Sequence, residues 1–128
     1  MNCPVDKSVM IVLELDEIEI DYCLECKGVW FDAGELELLL GDAALTEVLM
    51  SSMQKFAKSN EKKRKCPICG KKMDKIICGE GKNILIDECR NHHGLWLDHG
   101  ELEALLKVGG FDDDNRVVDL LKDMFGQK

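Results

Sequence analysis

Two kinds of apolar pattern run along the chain, and each comes round twice. Alternating stretches at residues 10–15 and 17–22 predict a β-hairpin, and so do residues 72–78 and 83–88, joined by a glycine-containing turn at 79–83. After each hairpin, Leu36, Leu39 and Leu40 and then Leu102, Leu105 and Leu106 keep i, i+3, i+4 spacing, which predicts a short helix with one buried stripe. Asp32 and Asp98 stand where N-caps belong, and Glu35 and Glu101 follow three residues later, as in a capping box. Two longer helical patterns lie beyond. Leu45, Val48, Leu49, Ser52, Met53 and Phe56 share a face over residues 43–58. Val117, Leu120, Leu121 and Met124 share one over 114–125, with Asp112, Asp113 and Asp114 near its start, where the helix dipole favours acids.

The patterns recur because the sequence does. Cys23-Leu-Glu-Cys26-Lys-Gly-Val-Trp30-Phe-Asp32-Ala-Gly-Glu35 returns 66 residues later as Cys89-Arg-Asn-His92-His93-Gly-Leu-Trp96-Leu-Asp98-His-Gly-Glu101. Upstream, Cys3-Pro-Val-Asp6 answers to Cys66-Pro-Ile-Cys69 at an offset of 63, so the intervening hairpins differ by three residues. This is a duplicated small unit. It divides the chain into a first unit at 1–41, a helix and basic linker at 42–65, a second unit at 66–109 and a C-terminal helix at 110–128.

Charge narrows the partners. The chain of 128 residues carries a formal −8, which disfavours nucleic acid and anionic membrane in bulk. The sign is uneven: residues 55–75 carry +7, with Lys62, Lys63, Arg64 and Lys65 at the centre, and the remainder carries −15. Such a stripe can hold phosphates or simply form a solvated linker. The longest apolar run, residues 9–13, is far short of the roughly 20 residues that span a bilayer. With no secretory leader pattern at the start, the expected location is cytoplasmic. No Ser/His/Asp set, phosphate loop or dinucleotide motif is visible.

Seven cysteines in a reducing compartment point to metal or redox chemistry before disulfides. Redox C-x-x-C pairs usually open a helix after a strand, whereas these precede turns and hairpins. Metal is the stronger reading. A unit of about 40 residues is near the size below which metals or disulfides are needed for stability. A structural zinc contributes roughly 10–16 kcal/mol of apparent binding energy that is also folding energy. In the second unit Cys66 and Cys69 are followed, 19 residues on, by Cys89 and the pair His92 and His93. Three thiolates and one imidazole satisfy tetrahedral zinc. His93 is the favoured ligand and His92 the alternative, since a turn residue at positive φ is where His is enriched. The first unit offers Cys3, Cys23 and Cys26, with Asp6 in place of the fourth cysteine. Asp6 closes the site, or the site is weak or empty, or it is three-coordinate with an open position for water, the one route here to zinc hydrolysis. Cys78, alone at the second hairpin, reads as a buried or free thiol. Trp30 and Trp96 read as packing over the metal sites, and His99 as solvated.

At Cys-Pro-x-Cys, Ile-Asp-x-Cys and Gly-x-Trp-x-Asp-x-Gly-Glu-Leu-Glu the chain resembles the transcription factor IIB-type zinc-finger family, over about residues 1–40 and 66–107. The resemblance implies a zinc-ribbon fold with ligands at Cys3, Cys23 and Cys26 and at Cys66, Cys69 and Cys89. Members resembling the second unit often read Cys-x-x-Gly-His-Gly at the second turn, which matches His93; Asp6 departs from the family's Cys-Pro-x-Cys. The expectation is therefore α+β: two tandem zinc-ribbon-like hairpin units, each with a short capped helix, plus two longer outer helices. Two structural zinc ions per chain, no catalysis, and a protein partner or self-association complete the reading. Nucleic-acid binding through residues 55–75 is the alternative, and a zinc hydrolase at the first site a distant one.

Overall fold

The computed structural model describes residues 1–15, 17–41, 43–56, 63–78 and 84–109. The first unit folds as strands β1 (Ile11–Leu15) and β2 (Ile18–Tyr22), a third strand β3 (Val29–Asp32) and helix α1 (Glu35–Leu40). Helix α2 (Ala43–Ser51) and a two-residue strand β4 (Gln54–Lys55) lead to the second unit, which repeats the plan as β5 (Asp74–Cys78), β6 (Ile84–Glu88), β7 (Gly94–Leu97) and α3 (Glu101–Val108). The architecture is α+β, as expected. The expected C-terminal helix at 114–125 lies outside the described residues.

The two units do not stand apart. All seven described strands form one antiparallel sheet in the order β1-β2-β3-β7-β6-β5-β4, and the join is β3 against β7. There Trp30 pairs with Trp96, Val29 with Leu97 and Phe31 with Leu95. The 66-residue repeat exchanges the last two pairs and maps the tryptophan pair onto itself. The join is therefore a pseudo-twofold contact, of the isologous kind that two identical subunits would make.

Alternation along the strands sorts side chains onto two faces. On one, Ile20, Val29, Phe31, Ile76, Ile86 and Leu97 meet the leucine stripes of α1 and α3 in the main core. On the other, register lines up Val12, Asp21, Trp30, Trp96, Asp87 and Lys75 across six strands. Both tryptophans in this row are fully buried. Lys75 and Asp87 are also buried, paired Nζ to Oδ1 at 2.7 Å. The first unit has Val12 where the second has Lys75, so Asp21 lacks that lysine.

Three expectations need correction. Asp32 and Asp98 do not cap helices. Each accepts the indole N–H of the tryptophan two residues before it, at 2.9 Å in both units, and Gly34 and Gly100 occupy the N-cap positions at φ 87° and 88°. Glu35 and Glu101 do reach back as a capping box would, accepting the backbone N–H of Asp32 and Asp98 at 3.1 and 2.8 Å. The helix expected over 43–58 stops at Ser51, whose neighbour Ser52 turns its hydroxyl onto Leu49 O; Phe56 then donates its N–H to Lys75 O beside β4. Only Leu49 of its apolar face is fully buried, and Val48 is 69% exposed. Finally, Lys75 leaves the basic stretch for the interior.

Candidate metal centres

In both units the first turn folds back on its cysteine. Cys3 and Cys66 donate their N–H groups to Ser8 O and Lys71 O at 2.7 and 2.8 Å, and their carbonyls accept from Lys7 and Gly70, both at positive φ. The second turns differ. In the first unit Lys27 N–H closes onto Cys23 O and Lys27 carries the positive φ of 67°. In the second, His92 N–H closes onto Cys89 O one residue sooner, and His92 carries the positive φ of 60°. The donor therefore precedes the left-handed residue in one turn, at Cys26, and follows it in the other, at His93. This one-residue shift aims the His93 ring at the cysteines and leaves His92 at the surface, 4.0 Å from Glu88.

Two donor groups result: Cys66, Cys69, Cys89 and His93, and Cys3, Asp6, Cys23 and Cys26, each with all donor atoms within 4.8 Å of one another. The separations test the fit to zinc. Tetrahedral bonds of about 2.3 Å to sulfur imply S···S edges of about 3.8 Å, and mixed S···N or S···O edges of about 3.6 Å. Cys69 and Cys89 sulfurs lie 3.7 Å apart, and His93 Nδ1 is 3.5 Å from Cys89 Sγ and 3.9 Å from Cys66 Sγ. In the first unit Cys3 and Cys26 sulfurs lie 3.6 Å apart, and both Asp6 oxygens are 3.6 Å from Cys23 Sγ. Both groups can hold a zinc ion.

Backbone N–H groups converge on the sulfurs: Val5 on Cys3, Cys26 on Cys23, Ile68 on Cys66 and Asn91 on Cys89, at 3.3–3.4 Å. These donors stabilise thiolate character. Burial opposes them, pushing the Cys3 thiol up to about 12 and Cys66 up to about 11. Cys69 sits at the open side, where the Lys71 backbone N–H brings it down to about 6. A metal ion takes up sulfurs only as thiolates, so binding releases protons from the buried cysteines.

Ser8 escaped the sequence reading. Its backbone N–H and hydroxyl both donate to Asp6 Oδ1, at 3.0 and 2.5 Å, and its hydroxyl oxygen is 3.2 Å from Cys23 Sγ. Those hydrogen bonds hold the Asp6 carboxyl below the usual carboxylate range and orient it toward the cysteines, although Asp6 itself is exposed. The Asp-x-Ser spacing was the available signal. Of the basic residues, Lys63 and Lys65 are exposed and Arg64 half-buried, while Lys62 lies outside the described residues. Cys78 is buried in the main core, while the donor cysteines belong to the separate cluster around the tryptophans. No described helix is long and apolar enough to cross a membrane.

The family model described as transcription factor zinc-finger matches residues 2–42 and again 65–108. No curated protein and no solved structure matches the chain. The matched segments coincide with the two repeats and contain both donor groups, and the chain belongs to the transcription factor zinc-finger family, of which it carries two tandem copies.

Proposed function

We propose that this protein is a non-enzymatic interaction module, in which two structural zinc ions hold a rigid double unit that presents helical surfaces to a protein partner or to a second copy. Cys3, Asp6, Cys23 and Cys26 hold one ion; Cys66, Cys69, Cys89 and His93 hold the other. The units at 1–41 and 66–109 act as one block. The observation that carries the interaction role is the pair of helices α1 and α2, where Leu38 is 68% and Val48 69% exposed. The two helices pack on each other, and an apolar patch that Leu38 and Val48 share would suit a contact surface better than solvent. Asp6, filling the fourth donor position, argues against an open hydrolytic site.

A photo-crosslinking residue at Val48 tests this: it should give a discrete protein adduct in cells, of the chain with itself or with another protein, while one at exposed Lys71 should not. Equal, diffuse labelling at both positions would contradict the module. The second reading, nucleic-acid binding, draws on Lys65 and Lys72, which face each other across a β-bridge, with Lys63 and Lys71 nearby and exposed. Titration with DNA and RNA across salt concentrations separates the two. Binding that falls steeply with salt, and is lost when Lys63, Arg64 and Lys65 are neutralised, would favour the second.

A further inference from the structure

Trp30 belongs by sequence to the first unit, but its ring lies against the second. A β-carbon added to Gly94 would fall 2.7 Å from Trp30 Cζ2, and also 2.2 Å from Phe31 O. The reverse holds for Trp96: a β-carbon on Gly28 would fall 2.2 and 2.6 Å from its Cζ2 and Cη2. These two glycines close the second ligand turns, since Gly28 O accepts Cys23 N–H at 3.0 Å and Gly94 O accepts Cys89 N–H at 3.1 Å. Each indole is anchored within its own unit, through the aspartate two residues on, and projects across the pseudo-twofold onto the other unit's turn. Cys3 and Cys23 of the first unit, Cys66 and Cys89 of the second, Met10, Met73 and both tryptophans form a single buried cluster.

We propose that Trp30 is a positioning residue for the second metal site and Trp96 for the first, so that the two sites are linked across the β3–β7 join. The ring packed on each glycine holds the turn closed and keeps water from one side of its cysteines. A smaller side chain leaves a void there, which the turn fills by shifting or by admitting water. Loss of the outer-shell partners that orient metal ligands typically weakens binding about 10–100-fold, and the apolar shell around a site controls the access of water to it. Because each indole is itself anchored in the other unit, disorder in one unit loosens the metal of its neighbour.

The inference rests on zinc binding by both donor groups, which wild-type cysteine protection checks separately. The zinc-loaded full chain is challenged with a chelator while cysteines are alkylated and mapped by peptide mass spectrometry. Trp30→Leu should speed alkylation of Cys66, Cys69 and Cys89 about tenfold or more, ahead of Cys23 and Cys26; Trp96→Leu should do the opposite. If each variant exposes its own unit's cysteines first, the crossed assignment is wrong. Wild-type cysteines alkylated equally with and without zinc would instead defeat the zinc reading and this inference with it. Should the leucine variants fail to fold, a milder cycle decides. Gly28→Ala should speed release from Cys3, Cys23 and Cys26 in the wild type and in Trp30→Phe, but add little in Trp96→Phe, whose smaller ring makes room. Equal effects of Gly28→Ala in both phenylalanine variants would overturn the proposal.

Discussion

The first and second units share one strand plan and one helix position, but they differ at two points on the same face of the sheet. The second unit offers three cysteines and His93, and it buries a lysine–aspartate pair beside Trp96. The first offers three cysteines and an exposed Asp6 steadied by Ser8, and it has Val12 opposite Asp21 where the second has Lys75 opposite Asp87. Burial, followed by the nearby Asp32 charge, pushes the Asp21 carboxyl up; burial also raises Asp87, where Lys75 opposes it in part. The two units thus share the parts that join them, the paired tryptophans and their glycines, and differ in the donor set and the buried charge. What must match across a pseudo-twofold is the contact itself; each unit's outer reaches are free to differ.

The largest effect expected is common to both units. Chelating zinc should unfold the described domain, because metal binding on the order of 10–16 kcal/mol is here folding energy. Loss of the dispersed amide NMR spectrum on chelation, recovered with zinc, checks this; retained dispersion would contradict it. The next breaks the second unit alone. Lys75→Met strands a buried Asp87 and should cost about 3–5 kcal/mol, whereas Lys75→Met with Asp87→Leu should come near the wild type, in denaturant titrations of zinc-loaded protein. A third acts on the first site. Asp6→Ala removes a ligand outright and should weaken zinc there by at least the roughly 10–100-fold, about 1.4–2.8 kcal/mol, that losing an outer-shell partner costs, and Asp6→Cys should bring it level with the second site, read by competition with a chromophoric chelator. The smallest sharpens the charge comparison: Val12→Lys, giving Asp21 the partner that Asp87 has, should stabilise the chain at neutral pH by up to about 1 kcal/mol, since position 12 is 61% exposed.

Much of this was legible in the sequence. The repeat located both units, alternation placed the four hairpin strands, and leucine spacing placed α1 and α3. Cysteine spacing nominated the residues that the fold gathers into two donor groups, and the positive φ argued for His92 falls on that residue. The third strand of each unit was not legible. Val29–Asp32 and Gly94–Leu97 are four residues each, apolar on both faces and close to a helix, so they carry no alternation to betray them. The join they make was hidden for the same reason, and so was the crossing of the tryptophans. Asp32 and Asp98 had the spacing of caps but satisfy buried indole N–H groups, a demand that only the packed tryptophans create. Counting charge could not separate Lys75 from its neighbours, because its partner Asp87 lies on another strand.

Anomalous diffraction at the zinc edge on crystals of the purified chain counts the metals and identifies their ligands. Two zinc peaks per chain are expected, one bonded by Cys66, Cys69, Cys89 and the His93 ring, the other by Cys3, Cys23, Cys26 and an Asp6 carboxylate oxygen. A single peak per chain, or a first-unit zinc with water in place of Asp6, would contradict it.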